Sequence, residues 1–203
     1  MNFEIRKKAE CKTSVWSGGE TTEFLIYPPD ASYEQREFLF RISSAVVRDQ
    51  TSTFTALPDT KRILLVLDGK LRLQSNGHTG TWLHPGDQES FSGDWDTSSE
   101  GMATDYNLMM KGDTSGTIQD VTLAAGGKET IRIHPKEGYT CIYCLYCFSG
   151  QLVIHNDDER QELDEKDFGV MKLQDAGDVS EIVLENTAQQ ATRFIKTEVY
   201  VQN

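Results

Sequence analysis

Arg41 and Ser43 stand two residues apart in the run 38–47, where Phe38, Phe40, Ile42 and Val46 alternate with Arg41, Ser43 and Ala45. On a β-strand the two polar side chains leave the same face. Asp105 and Asn107 repeat that spacing in the run 105–110, opposite Tyr106 and Leu108. A guanidinium beside hydroxyl and amide groups suits a carboxylate, because arginine offers parallel donors in a fork. Thr21 and Glu23, again two apart, could complete such a polar lining. Trp16 could stack on a planar ligand or simply cap the mouth of a barrel. Arg62, just ahead of an apolar run, is either a further cation of the site or a surface charge. Gly18-Gly19 could bring backbone N–H groups to an anion or form a plain turn. Other readings stay open. Arg41 could pair with Asp105 or Glu23 in a structural network, the face could be the solvated outer one, and a buried Glu23 or Asp105 could act as a general base.

Such residues need strands to hold them, and strand signals run the length of the chain. The run 20–27 alternates and stops at Pro28-Pro29-Asp30, and 33–37 has room for one turn. The run 62–67 turns at Asp68-Gly69 into 71–74, Asn76-Gly77 marks a hairpin, and His84-Pro85-Gly86-Asp87 is a tight loop. No segment sustains a period of 3.6, so short strands in a sandwich or barrel are expected. An internal repeat sharpens this. Leu64-Leu65-Val66-Leu67-Asp68-Gly69-Lys70-Leu71-Arg72-Leu73 resembles Cys144-Leu145-Tyr146-Cys147-Phe148-Ser149-Gly150-Gln151-Leu152-Val153. Each copy then reaches an acidic turn, Asp87 lying 18 residues after Gly69 and Asp167 lying 17 after Gly150. The pattern predicts a duplicated jelly roll, with halves at 1–115 and 116–203 joined through the Gly- and Ser-containing stretch 111–118.

The formal net charge is −12, spread over both parts: twelve basic and eighteen acidic residues in 1–120, eight and fourteen in 121–203. A uniform negative field repels phosphate backbones and anionic lipid surfaces, so neither nucleic acid nor membrane is an expected partner. No run approaches the roughly 18 to 20 apolar residues of a membrane span. The N-terminal residues lack the apolar stretch of a secretory leader. With Cys141, Cys144 and Cys147 crowded into one segment, reduced thiols and a cytoplasmic location are the simpler reading.

Several blocks resemble the HutD/Ves family. Trp16-Ser17-Gly18-Gly19-Glu20-Thr21-Thr22-Glu23 is similar to its Trp-then-Gly-rich opening, although the stretch from Trp16 to Glu20 is a residue or two shorter than usual. Phe40-Arg41-Ile42-Ser43-Ser44-Ala45, Phe54, Leu57-Pro58, Arg62-Ile63-Leu64-Leu65, Pro85-Gly86-Asp87 and Asp105-Tyr106-Asn107-Leu108-Met109 follow in order. The resemblance implies an all-β fold of tandem cupin-like (bicupin) jelly-roll barrels forming one compact unit. It also implies an association with bacterial histidine utilisation, a small anionic ligand such as urocanate or formylglutamate, and no established catalytic activity. A possible homodimer is the only assembly expected.

Metal-dependent cupins need two closely spaced histidines and a glutamate before the first glycine turn and another histidine after it. No histidine precedes Gly69, and His78, His84, His134 and His155 stand singly, so no metal or other cofactor is expected. On a strand Cys141 and Cys147 share one face and Cys144 the other; three thiolates do not converge, and small buried hydrophobes are the expected role. No nucleophile elbow is present. The acidic run Asp157-Asp158-Glu159 reads as a solvated hairpin tip. The sequence therefore predicts a binding protein whose site contains Trp16, Thr21, Glu23, Arg41, Ser43, Arg62, Asp105 and Asn107. A metal-independent isomerase, lyase or hydrolase, and an interaction module with filled barrels, are the alternatives.

Overall fold

The structure is a computed structural model that describes residues 3–156, 159–174 and 180–203. The described residues form β-strands and one 3-10 turn, with no α-helix among them and none long and apolar enough to cross a membrane. The chain begins with β1 (Glu4–Arg6) and then divides into two units, one spanning Cys11–Thr114 and the other combining Met1–Glu10 with Ser115–Asn203.

The Cys11–Thr114 unit contains β2 (Lys12–Trp16), β3 (Gly19–Tyr27), β4 (Phe40–Val47), β5 (Thr51–Thr53), β6 (Thr60–Gly69), β7 (Arg72–Ser75), β8 (His78–Thr79), β9 (Gln88–Ser92), β10 (Thr97–Glu100) and β11 (Ala103–Lys111). They make a six-stranded sheet, β2-β3-β4-β11-β6-β9, and a four-stranded sheet, β5-β10-β7-β8. Leu64 and Val66 from the first sheet meet Leu71, Leu73 and Phe91 in a core, each side chain worth about 1.5–3 kcal/mol when fully buried. Phe38 lies just before β4 and packs with Leu57 and Met109 rather than continuing the apolar face of the strand.

The other unit contains β12 (Ser115–Leu123), β13 (Lys128–Ile133), β14 (Tyr139–Ser149), β15 (Leu152–Asn156), β16 (Glu159–Leu163), β17 (Phe168–Leu173), β18 (Ser180–Glu185) and β19 (Thr192–Gln202). Here the sheets are β1-β17-β14-β19-β12 and β13-β18-β15-β16. The order β4-β11-β6-β9 thus recurs as β12-β19-β14-β17, and β5-β10-β7-β8 as β13-β18-β15-β16. The sequence repeat is a duplicated eight-stranded jelly roll.

The two copies agree down to single hydrogen bonds. The Val66 N–H donates to the Asp87 carbonyl at 3.0 Å and the Val66 carbonyl accepts from Gly86 N–H at 2.9 Å; Cys147 does the same with Asp167 at 3.1 Å and Lys166 at 2.6 Å. The Asp87 carboxylate accepts from His84 N–H at 2.9 Å and the Asp167 carboxylate from Asp164 N–H at 3.2 Å, which is why each turn is acidic. Asn76-Gly77 is the expected two-residue hairpin, both residues having positive φ (49° and 79°). Asp68-Gly69 is not a hairpin: β6 and β7 lie in different sheets, and the glycine turns a corner between them. Gly69 and Gly150 take φ of 76° and 85° there, and a side chain on Gly69 would strike the Met102 carbonyl.

Residues 1–10, placed in the first half from sequence, pair with the second unit. β1 runs antiparallel to β17, and Lys7 Nζ reaches Asp164 at 2.9 Å and Asp167 at 2.7 Å. Cys141 and Cys147 lie in the core of that unit and Cys144 on the opposite face of β14. Burial pushes the Cys141 thiol up to about 11 and Cys147 up to about 12, so both are inert hydrophobes at neutral pH. In the acidic run, Glu159 opens β16 opposite Asn156, whereas Asp157 and Asp158 lie outside the described residues.

Candidate functional site

Three neighbouring strands bring the sequence-predicted residues together in rungs. β11 lies between β4 and β6, so Asp105 sits opposite Ala45 and Val66, Asn107 opposite Ser43 and Leu64, and Met109 opposite Arg41 and Arg62. β3 extends two rungs outward, with Thr21 opposite Ala45 and Glu23 opposite Ser43. The polar alternation in the sequence thus lies on the inner face of the sheet, not the solvated one. A cavity of about 360 Å³ opens there, lined by Trp16, Thr21, Arg41, Ser43, Arg62, Asp105 and Asn107. Glu23 is not on its wall but holds Arg41 in place.

The two guanidiniums differ. Arg41 Nε donates to Glu23 Oε2 at 2.6 Å and Nη1 to Ser43 Oγ at 3.1 Å, and its guanidinium lies over the Tyr33 ring at 4.2 Å. The network of Arg41 with Glu23, one of the open alternatives, is therefore present; the one with Asp105 is not. Arg62 is 5% exposed and lies between the rings of Phe54 (4.8 Å) and Phe91 (4.9 Å), with no protein partner for its Nε. Burial lowers its pKa to about 10, opposed by Tyr33 and by the carboxylate of Asp105. Asp105 is 2% exposed; burial pushes it up to about 7 against the pull of Arg62 and of the Ala45 backbone N–H.

Ser52 on β5 and Ser99 on β10 complete the cavity from the facing sheet. Their hydroxyls, Arg62 Nε and Asn107 Oδ1 are buried polar atoms without a protein partner, and all four belong to residues lining this one cavity. Each such atom costs about 1–3 kcal/mol if left unpaired, which marks the cavity as a place for a polar guest. Trp16 Nε1 donates to Thr21 Oγ1 at 3.2 Å, and its ring lies so close to Gly18 that a side chain there would overlap it. Gly18 therefore makes room for the indole within a two-residue turn between β2 and β3. Trp16, Ser52 and Ser99 also border a second cleft of about 370 Å³.

The donor set does not suit a metal ion. The cavity wall carries two guanidiniums and one carboxyl, and none of its lining residues is a histidine or cysteine. No cluster of three metal-ligating side chains occurs among the described residues. His155 bonds Glu185 at 2.8 Å in the other unit. Sequence reasoning missed Tyr33, Ser52 and Ser99. The two serines sit on strands of three and four residues, too short for alternation to show, and Tyr33 reaches Arg41 from a turn.

Two jelly rolls, one enclosing a charged cavity, define a cupin-like protein, and the similar solved structures agree. A conserved protein of unknown function from Pseudomonas aeruginosa superposes with a TM-score of 0.81 at 19% identity, covering 98% of this chain and 99% of that one. HutD from Pseudomonas fluorescens gives 0.74 at 18% identity over 99% of both chains. Oxalate decarboxylase from Lactobacillus farciminis gives 0.62 at 8% identity, covering 96% and 85%. The chain belongs to the HutD family, whose family model matches residues 8–192. No curated protein matches it significantly in sequence.

Proposed function

We propose that this HutD-family protein is a non-catalytic or regulatory binding protein that holds a small carboxylate metabolite in the cavity of its Cys11–Thr114 unit. The reading rests on one observation: four buried polar atoms without protein partners, on Ser52, Arg62, Ser99 and Asn107, line the same cavity. Arg62 supplies the charge, because its Nε is unpartnered while Arg41 is already held by Glu23. Ser43 and Asn107 supply hydrogen bonds, Thr21 lines the wall, and Trp16 offers a flat face for a planar group. Family membership supports a ligand from histidine utilisation, urocanate or formylglutamate. A cytoplasmic location fits Cys141, Cys144 and Cys147, which form no disulfide. A homodimer could form through the exposed edge strand β2, where Val15 is 79% exposed.

A thermal-shift series against urocanate, formylglutamate, formiminoglutamate, histidine and glutamate, at constant ionic strength, tests this. A ligand at a hundredfold excess over its dissociation constant stabilises the folded state by about 2.7 kcal/mol. A concentration-dependent rise that Arg62→Met abolishes supports the site; a flat response to every compound rejects it. A metal-free enzyme is the second reading, favoured by a carboxyl at Asp105 held near neutrality in the cavity. Turnover of the bound acid that disappears in Asp105→Asn would favour it over binding alone.

A further inference from the structure

We propose that the cavity takes up its anionic ligand together with one proton, and that Asp105 is the residue that holds it. The inference rests on the carboxylate-binding reading and specifies how that binding is regulated. Charged side chains face the cavity from β4, β6 and β11. Arg41 on β4 and Glu23 on β3 cancel one another at 2.6 Å. That leaves Arg62 on β6 and Asp105 on β11, with the neutral Tyr33, Ser43 and Asn107 between the elements.

Arg62 and Asp105 act on one another through space, but none of the ion pairs among the described residues joins them. Ionised, Asp105 is the counter-charge of Arg62 and the cavity is neutral. A carboxylate entering beside Arg62 would then leave one uncompensated negative charge in a site where Asp105 is 2% exposed. Two carboxylates sharing one low-dielectric site cannot both stay ionised. Protonating Asp105 removes that one charge: the ligand carboxylate beside Arg62 replaces Asp105 as its counter-ion, and the new O–H becomes a donor toward the ligand or Asn107 Oδ1. The position does not need a carboxyl to build the barrel, since the other jelly roll places Phe194 at the same rung. Asp105 already stands close to neutrality before any ligand arrives, its carboxyl being pushed up to about 7.

Linkage then fixes the sign. Above the titration of Asp105 the dissociation constant rises about tenfold per pH unit, because each binding event must draw a proton from solution. The test is calorimetric titration with N-formylglutamate, whose carboxylates do not titrate near neutrality. It is run at pH 8 in two buffers of different ionisation enthalpy, on the wild type and on Asp105→Asn. Uptake of close to one proton per ligand in the wild type, and of none in Asp105→Asn, is the expected result. Binding with no proton uptake overturns the proposal and leaves the carboxylate site standing. Uptake that persists in Asp105→Asn also overturns it and points to Glu23. If Asp105→Asn does not fold, Glu23→Gln takes its place: uptake that survives Glu23→Gln supports Asp105, and uptake that Glu23→Gln removes overturns the proposal. Absence of binding, with no thermal shift by any compound of the panel, removes the site and the proposal together.

Discussion

The two jelly rolls share one wiring and differ in what they enclose. Counted from the corner glycines, Arg62, Leu64 and Val66 correspond to Tyr143, Leu145 and Cys147. The strand registers carry the match to Asp105 with Phe194 and Asn107 with Lys196. Across the facing sheets, Ser99 corresponds to Leu184 and Ser52 to Glu129. In the second barrel these positions fill the interior. Phe194 and Leu184 join a core with Tyr143 and Met171, and Lys196 closes on Glu129 at 2.7 Å. In the first barrel the same rungs carry side chains whose polar atoms face a cavity. A cavity of this kind is thus not a by-product of the fold; it follows from different residues at matching rungs of one frame.

The largest effect should come from moving the cavity chemistry into the filled barrel. Phe194→Asp removes a fully buried ring and puts a carboxyl among apolar neighbours. The expected loss is about 5 kcal/mol or more, enough to unfold that unit in a denaturant titration followed by circular dichroism. A loss below about 2 kcal/mol would mean that the second barrel tolerates a cavity, and the contrast drawn above would collapse.

Next in size is the pH dependence that Asp105 imposes on the first barrel. Its folded-state value of about 7 lies above that of an unfolded aspartate, so between those values the native state binds the extra proton. The stabilising contribution of the neutral carboxyl is complete below about pH 4 and declines as pH rises toward 7. Over that window the wild type should lose on the order of 3 to 4 kcal/mol relative to Asp105→Asn, because each pH unit is worth about 1.4 kcal/mol. Unfolding midpoints of both proteins at pH 4.5, 6 and 8 check the sign. Parallel curves would place Asp105 in a better solvated setting than its burial indicates.

A smaller effect is expected for the ion pair that closes the second barrel. Lys196 and Glu129 are 13% and 30% exposed at the side chain, so the pair is only partly screened. Lys196→Met strands Glu129, whose Oε2 already lacks a protein partner, and should cost about 1–3 kcal/mol. The double variant Lys196→Met with Glu129→Leu should recover most of that loss, since an apolar pair suits a filled interior. Failure to recover would show that the two residues act separately.

Much of this contrast could be read from sequence, and the unread part has physical causes. Alternation in 38–47 and 105–110 put Arg41, Ser43, Asp105 and Asn107 on common faces, because a period of two survives any choice of sheet. The glycine-to-acid spacing exposed the duplication, because a corner glycine and a capping aspartate leave fixed marks on the chain. Which face points inward was not legible, since that depends on strands β5 and β10, too short to announce themselves. Nor did sequence separate the roles of Arg41 and Arg62. The difference lies in Glu23, which reaches Arg41 across a neighbouring strand, and in Phe54 and Phe91, which enclose Arg62 from distant segments. The assignment of residues 1–10 failed for a similar reason, because the partner of β1 is β17, more than 150 residues away.

The smallest effect concerns the hairpin of β2 and β3, which extends the first barrel's sheet beyond β4 and has no counterpart beyond β12 among the described residues of the second. If the eight shared strands carry the fold, the hairpin is a wall added to the cavity rather than part of its frame. Trp16→Phe then loses the bond from Nε1 to Thr21 and part of the ring face, and stability should fall by no more than about 1 kcal/mol. Ligand affinity should fall further, because the indole borders both the cavity and the neighbouring cleft. Paired thermal shifts with and without formylglutamate separate the two quantities. A stability loss as large as that of the Lys196→Met variant would make the hairpin integral to the barrel. The two jelly rolls would then differ in their frames as well as in their contents.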